Sequence, residues 1–195
     1  MAFGLSGCSS GPPPPEDDSA RSTNVQAHRM AKDQMFKSSS ESPLLPEDKA
    51  TFTGLPYFPF DLKYRVPASL RQDEEATGTI IELPTSAQEL RRMRRVGTLR
   101  FALDGATHHL TAFVDASART VDELFVPFAD VTSGRETYAG GRYLELRRTA
   151  TGLYDLDFNL AYHPFCVFNP SYICPVPPKE NRLSIAILAG ERLKP

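Results

Sequence analysis

Apolar and polar residues alternate along several short stretches from residue 63 onward, which is the pattern of half-buried β-strands. Residues 142–148 show it most plainly, with Leu144 and Leu146 on one face and Glu145 and Arg147 on the other. Between two apolar runs, Asp104-Gly105 is a strong signal for a tight hairpin. The pattern predicts strands at 63–66, 78–83, 96–103, 107–114, 124–128, 142–148, 153–158 and 183–188.

The predicted fold class is α+β, mainly β. No convincing helical crossover separates the strands, and parallel strands need such crossovers, so an antiparallel arrangement is expected. One helix is predicted at 24–37, where Thr23 and Gln26 have capping-box spacing. The aromatic, proline-broken segment 52–61 is interpreted as a hydrophobic flap over the core. We therefore expect an antiparallel sheet, sandwich or partly closed barrel with one N-terminal helix.

Composition and charge limit the function classes. The chain has 195 residues, of which 41% are hydrophobic and 24% charged, as in an ordinary globular domain. A net charge of -2 gives no electrostatic argument for nucleic-acid binding, and the basic run at 91–95 is interpreted as a solvated strand entry. No apolar run approaches the roughly 18–20 residues that span a bilayer.

The N-terminal segment indicates a lipid anchor. Leu5-Ser6-Gly7-Cys8 has the form of a bacterial lipobox, and a polar, proline-rich tether follows it. Only four residues precede the box and none is basic, so we expect the true start codon to lie upstream and most of the signal peptide to precede this sequence. We expect residues 1–21 to be a disordered tail, 22–195 to be one β-rich domain, and Cys8 to be the lipidated residue. The expected location is the cell envelope, outside the cytoplasm, with a cytoplasmic protein as the alternative.

Residues 132–143 form the first candidate site. A Gly140-Gly141 pair frees the backbone just before a strand, and the segment also contains Glu136, Tyr138 and Arg142. Arg142 is suited to grip a carboxylate or phosphate, and Glu136 to orient a donor group. The alternative is a turn that carries surface charges.

Residues 157–181 are the most unusual segment, because aromatic residues, prolines, asparagines, two cysteines and a histidine are concentrated there. No regular helix or strand tolerates this mixture, and long ordered loops are often functional. His163, Cys166 and Cys174 supply at most three ligands, one fewer than a structural zinc site needs. A Cys166 nucleophile with His163 as its base, or a Cys166–Cys174 disulfide, are the other interpretations, and export favours the disulfide.

The remaining polar residues of this loop are candidates for ligand binding or for loop architecture. Asparagine side chains commonly hydrogen-bond loop backbone, and aromatic side chains bury a loop onto a sheet. Such a rigid lid also preorganises a pocket, so the two roles are compatible. The candidates are Asn159, Tyr162, His163, Asn169, Glu180 and Asn181.

Three blocks of the sequence resemble the bacterial and archaeal family known as domain of unknown function 1684. They are residues 52–66, residues 132–144 with Thr-Ser-Gly-x-Glu-Thr-Tyr-x-Gly-Gly-Arg-Tyr-Leu, and residues 157–191, which end in Ala-Gly-Glu. The resemblance covers about residues 25–192 and implies no reaction, since the family is uncharacterised. In the family pattern the position of His163 is commonly asparagine, so a mechanism that depends on this histidine is doubtful.

These observations predict a protein that binds a small ligand or acts as an accessory protein, with a pocket between the 132–143 turn and the 157–181 loop. Its contact with the membrane would be through the lipid alone, and no cofactor, metal or nucleic-acid partner is expected. The first alternative is an enzyme for thiol redox, acyl-transfer or hydrolytic chemistry that uses Cys166, Cys174 or Glu136. The second is a structural envelope protein without a pocket.

Overall fold

The N-terminal helix is longer than predicted. The computed structural model describes residues 17–72 and 77–194, and in it α1 covers Asp18–Ser38. Asp17 caps this helix by accepting a hydrogen bond from the Ala20 amide at 2.6 Å, whereas Thr23 lies inside it and bonds the Ser19 carbonyl. Residues 18–21, assigned to the tail by the sequence, are therefore helical, and Cys8 lies outside the described residues.

A second helix, α2, was not predicted. It covers Pro46–Thr51 and begins with a proline at its first position, without a side-chain cap. Single 3₁₀ turns occur at Leu62–Tyr64, Phe158–Leu160, Phe165–Val167 and Lys179–Asn181. Among the helices of the described chain, none has the length and hydropathy needed to cross a membrane.

The described residues form seven strands, which are β1 Arg65–Arg71, β2 Ile80–Pro84, β3 Leu90–Leu103, β4 Ala106–Asp115, β5 Leu124–Phe128, β6 Arg142–Leu146 and β7 Tyr154–Asp157. They form one antiparallel sheet in the order β6-β5-β4-β3-β1-β7, and β2 pairs with the first part of β3. They correspond to seven of the eight predicted strands; β5 has the predicted ends, and each of the others has at least one shifted end.

The long strand β3 exchanges one partner for another at a bulge. Its register with β4 shifts between Arg95 and Gly97, after which β3 pairs with β1. A Cβ on Gly97 would lie 2.5 Å from the Arg71 carbonyl oxygen, so the two backbones approach each other as only glycine allows. The predicted hairpin between β3 and β4 is confirmed, with positive φ angles of 50° at Asp104 and 76° at Gly105.

The gap between the end strands β6 and β7 is bridged in two ways, which makes the sheet a nearly closed barrel. After β7 the chain crosses to β6, where Tyr143 and Tyr162 exchange backbone hydrogen bonds of 2.8 and 3.1 Å. Helix α1 packs over this gap, and its Arg21 forms an ion pair of 2.5 Å with Asp157 at the end of β7. The predicted fold class is thereby confirmed: a mainly β, antiparallel, nearly closed barrel with one long N-terminal helix.

The barrel interior is a continuous apolar core contributed by every strand except β2. Side chains such as Leu99, Leu110, Val126, Leu156 and Phe158 are fully buried there. Burying a side chain of this size contributes roughly 1.5–3 kcal/mol. The strands and this core thus form the rigid barrel on which the irregular segments lie.

The predicted strand at 183–188 is wrong. This segment has no strand in the structure, although Leu183 and Ile187 are buried as the apolar pattern indicates. The backbone carbonyl of Ile187 accepts a hydrogen bond from the Arg142 side chain at 2.8 Å. A side chain thus satisfies a carbonyl that a neighbouring strand would satisfy in a sheet.

Candidate functional site

Two of the candidate asparagines bond loop backbone. Asn159 is buried and exchanges hydrogen bonds with Asp61, whose amide it accepts at 3.1 Å and to whose carbonyl it donates at 3.0 Å. Asn169 caps a turn by accepting the Ser171 amide at 2.9 Å. Both side chains therefore satisfy backbone groups that no ladder satisfies.

Asn181 fills a gap in the sheet itself. The pairing of Phe113 with Phe125 would place Thr111 of β4 opposite Pro127 of β5, but a proline has no amide hydrogen to donate. The Asn181 side chain accepts the Thr111 amide at 2.6 Å and donates to the Thr111 and Pro127 carbonyls at 2.8 and 2.7 Å. It is fully buried, so these bonds occupy it completely.

Arg142 is an internal cation rather than a group on a pocket rim. It is 1% exposed, lies 2.6 Å from the Asp130 carboxylate and donates to the carbonyls of Ile187, Ala189 and Glu191. Burial lowers the pKa of its guanidinium, and the Asp130 charge opposes that shift. The predicted grip on a ligand is not available to this side chain, because protein groups already surround it.

The two candidate glutamates lie apart from the concave surfaces described below. Glu136 and Glu180 are both exposed. The backbone carbonyl of Glu136 accepts a hydrogen bond from the Leu193 amide at 2.7 Å. The turn and the loop do meet, since the Tyr138 amide donates to Nε2 of His163 at 3.2 Å.

His163 is a buried, neutral histidine. Its backbone amide donates to Glu191 Oε2 at 2.7 Å, and its Nε2 is an acceptor, which places the ring proton on Nδ1. Burial, followed by the charges of Arg142 and Lys32, lowers the pKa of this histidine to about 3. Within 17–72 and 77–194, no group of three His, Cys, Asp or Glu side chains is arranged to hold a metal ion.

A buried ion pair beside His163 was not predicted from the sequence. Lys32 of α1 lies 2.6 Å from Glu191 Oε1, and the Glu191 side chain is 1% exposed. Burial raises the pKa of Glu191, while Lys32 opposes the shift. The predicted helix contained Lys32, but nothing in the local pattern showed that it faces a carboxylate about 160 residues further along the chain.

Cys166 and Cys174 are free thiols in contact with each other. The Cys166 amide donates to the Cys174 sulfur at 3.2 Å. Burial is the main cause that raises the pKa of Cys174 to about 12. Because a thiol must ionise to act as a nucleophile, this shift disfavours Cys174 in nucleophilic catalysis.

Two concave surfaces flank the loop. The first, which we call the terminal groove, has a volume of about 360 Å³ and lies between α2, the loop and the C-terminal segment. Apolar side chains line most of it, with His163, Glu191 and Arg192 among its polar residues. Of the predicted ligand-binding residues, only His163 is part of this surface.

The second surface, which we call the aromatic groove, has a volume of about 470 Å³ and lies between the loop and the outer face of β3, β5 and β6. Tyr143 and Tyr162 meet edge to face with their centroids 5.7 Å apart, and Phe165 meets Tyr172 in the same way at 5.3 Å. Its largest apolar side chains are Phe125, Tyr143, Tyr162, Phe165, Tyr172 and Ile173.

The two carboxylates of the aromatic groove differ in whether a cation pairs with them. Asp115 is held by Arg91 at 2.7 Å, and these two opposite charges offset each other. Glu145 accepts the Tyr162 hydroxyl at 2.9 Å, and no described lysine or arginine forms an ion pair with it. Burial and the Glu145 charge raise the pKa of Tyr162, which keeps its hydroxyl a donor. The groove is therefore an aromatic surface with one uncompensated carboxylate.

Only Tyr162, among the predicted ligand-binding residues, lines the aromatic groove, together with Cys174 from the predicted disulfide and Tyr143 from the end of the predicted turn. Phe125 and Met93 were missed because they come from strands distant in sequence. The pattern placed Phe125 in a predicted strand, whereas Met93 lies before residue 96, where its strand was predicted to begin. The pattern also did not show which strands are neighbours in the sheet.

The family model described as "Protein of unknown function (DUF1684)" matches residues 50–192, and this chain belongs to that family. The chain is also similar to an uncharacterized protein of Haloarcula marismortui, whose solution NMR structure shares 43% sequence identity with it. That similarity covers 91% of this chain and 97% of the other, with a TM-score of 0.70. No curated protein matches the sequence.

Proposed function

We propose that this protein binds small molecules, and that the aromatic groove is the binding site for a ligand with an apolar body and a cationic group. The observation that carries the proposal is the combination of several aromatic rings with a Glu145 carboxylate that no described cation pairs. Cations bind to the faces of aromatic rings, and a nearby carboxylate adds Coulomb attraction.

The position of Glu145 supports a role in recognition. Its carboxylate is fixed by one hydrogen bond from Tyr162, and a carboxylate has about four acceptor sites, so it keeps capacity for a ligand. On the neighbouring strand, Phe125 lies directly opposite Glu145 and presents a second ring beside it. The volume of about 470 Å³ falls within the range of ordinary small-molecule sites.

A titration with choline tests this proposal, with dimethylbutanol as its uncharged carbon isostere. We expect choline to shift the backbone amide NMR signals of Tyr143, Tyr162 and Ile173, and dimethylbutanol to bind about tenfold more weakly. In Glu145→Gln the preference for the cation should disappear. Glu123→Gln is the matched control, because this exposed glutamate is already paired with Arg147 at 2.9 Å. Equal responses to the two probes, or shifts confined to other surfaces, would reject the proposal.

We also propose that a lipid on Cys8 holds the protein to the outer side of the cytoplasmic membrane or to another envelope membrane. The support is the sequence Leu5-Ser6-Gly7-Cys8 and the proline-rich tether that follows it. Labelled palmitate should be incorporated into protein expressed from the full upstream reading frame and lost in Cys8→Ser. Cys166→Ser should keep the label, and labelling that survives Cys8→Ser would exclude this anchor.

A further inference from the structure

The two thiols of the loop belong to parts of the molecule that are anchored separately. Cys166 lies in the Phe165–Val167 turn, which packs on α1 through Phe36, with ring centroids 6.0 Å apart for Phe165 and 4.9 Å for Phe168. Its neighbour Phe165 forms part of the aromatic groove. This side of the groove is therefore coupled to the helix.

Cys174 is fixed to the segment that follows β2. Its carbonyl accepts the Ser86 amide at 2.8 Å, and its amide donates to the Ser86 hydroxyl at 3.1 Å. Two residues further on, the Val176 amide donates to the Pro84 carbonyl at 2.7 Å, at the end of β2. Ile173, Cys174 and Pro175 line the aromatic groove on this side.

We propose that Cys166 and Cys174 form a reversible dithiol–disulfide switch that sets the separation of the two sides of the aromatic groove. The Cys174 sulfur lies 3.2 Å from the Cys166 backbone nitrogen, so the two cysteines are direct neighbours in space. Formation of the disulfide stands on this geometry alone, whereas its effect on binding rests on the proposed function of the groove.

The oxidant is a low-molecular-weight disulfide, for which glutathione disulfide is the probe. Cys166 is the more exposed thiol, so its thiolate attacks one sulfur of the reagent and one glutathione thiolate leaves. Cys174 then loses its proton and attacks the Cys166 sulfur, which expels the mixed-disulfide glutathione as the second thiolate. The raised pKa of Cys174 makes this second step the slower one, and its contact with Cys166 makes it intramolecular. Two protein thiol protons are released, the cysteines are oxidised by two electrons, and one glutathione disulfide is reduced to two glutathione molecules.

The disulfide is tested by counting free thiols in residues 166 and 174 before and after incubation with glutathione disulfide, using the chain with Cys8→Ser. We expect both thiols to be lost within one monomer, with a mass decrease of two hydrogen atoms, and to return on addition of dithiothreitol. Cys166→Ser and Cys174→Ser should each retain one thiol or a single glutathione adduct. Persistent thiols, a stable mixed disulfide in the parent protein or crosslinked dimers would overturn the proposal.

The effect on the groove is measured on the same two samples. Oxidation should shift the amide signals of Phe165 and Ile173 and change the affinity for choline about fivefold or more. A disulfide that leaves these signals unchanged would overturn the switch. If the signals change but choline binds neither form, the proposed function fails and the disulfide remains, so the two failures are distinguishable.

Discussion

Asn181 shows how a single side chain completes a β-sheet. Pro127 lies where an antiparallel strand should donate an amide hydrogen to Thr111, and the Asn181 amide supplies that donor together with an acceptor. It also donates to the Pro127 carbonyl. The residue therefore replaces part of the ladder between β4 and β5, which is a stabilising role and not a ligand-binding one.

We predict that Asn181→Ala lowers the free energy of unfolding by about 2–4 kcal/mol, because it leaves buried amide and carbonyl groups without partners. Urea denaturation followed by circular dichroism measures this loss. Glu180→Ala is the matched control. The Glu180 side chain is adjacent in sequence and exposed, so this substitution should change the free energy of unfolding by less than about 0.5 kcal/mol. Similar effects of both substitutions would contradict the role assigned to Asn181.

The residue types of the candidate site were predictable, but their surroundings were not. The sequence indicated that its asparagines hold loop backbone, and Asn159 and Asn169 do so. Asn181 instead bonds the backbone of two strands. The alternation placed Arg142 on the same face as Leu144 and Leu146, which is the buried face. It did not show that Asp130 and the carbonyls of the C-terminal segment surround the Arg142 charge there, because those groups are distant in the chain.

Helix α1 acts as a brace between the barrel and the loop. Arg21 near its start contacts β7, Lys32 lies over the Tyr162 ring at 4.3 Å, and Phe36 near its end packs against Phe165 and Phe168. Phe36 is fully buried. The helix therefore connects the gap between β6 and β7 to one side of the aromatic groove.

We predict that Phe36→Ala lowers the free energy of unfolding by about 3–5 kcal/mol, as expected for a truncated core phenylalanine. Because Phe165 loses a ring contact, its NMR signals should also broaden or shift more than those of Leu99 in the barrel core. Met30→Ala is the control on the same helix, since Met30 is 70% exposed. A loss no larger than that of the control would show that the helix does not brace the loop.

At the scale of elements, alternation predicted the sheet well and the irregular segments poorly. The run at 124–128 is observed with the predicted ends, because both its neighbours are strands. The run at 183–188 has a similar apolar pattern but is not a strand. Leu183 and Ile185 each bond one backbone group of residues 129–131, whereas the Ile187 carbonyl accepts the Arg142 side chain, so the ladder does not continue. A hydrophobic period reports burial, whereas a strand also requires a free partner edge.

Across the whole molecule, charges are buried where α1, the loop and the C-terminal segment meet. The pairs Lys32–Glu191 and Arg142–Asp130 lie there, and His163 contacts Glu191 between them. Such pairs contribute less to stability than their attraction suggests, because each ion gives up its hydration. The neutral state of His163 in this region can be measured, because it makes the free energy of unfolding depend on pH.

His163 makes the free energy of unfolding depend on pH in acid. His163 has a pKa of about 3 in the folded chain against 6.5 as its ordinary value, so below about pH 6.5 the unfolded chain binds a proton that the folded chain does not. Its contribution is therefore fully present above pH 6.5 and is lost as the pH falls towards 3. Glu191 has the opposite effect. Because its pKa is raised in the folded chain, it lowers the free energy of unfolding as the pH rises above its ordinary pKa of about 4.5.

Comparing the parent protein with His163→Asn isolates the histidine, because Glu191 is present in both and its contribution largely cancels in the difference. An asparagine oxygen is also suited to accept the Tyr138 amide that Nε2 now accepts. We expect the variant to gain about 2 kcal/mol relative to the parent protein between roughly pH 7.5 and pH 5, measured by urea denaturation at each pH. A difference that is constant with pH would mean that His163 takes up its proton in the folded state as readily as in the unfolded one, which its burial between Arg142 and Lys32 opposes.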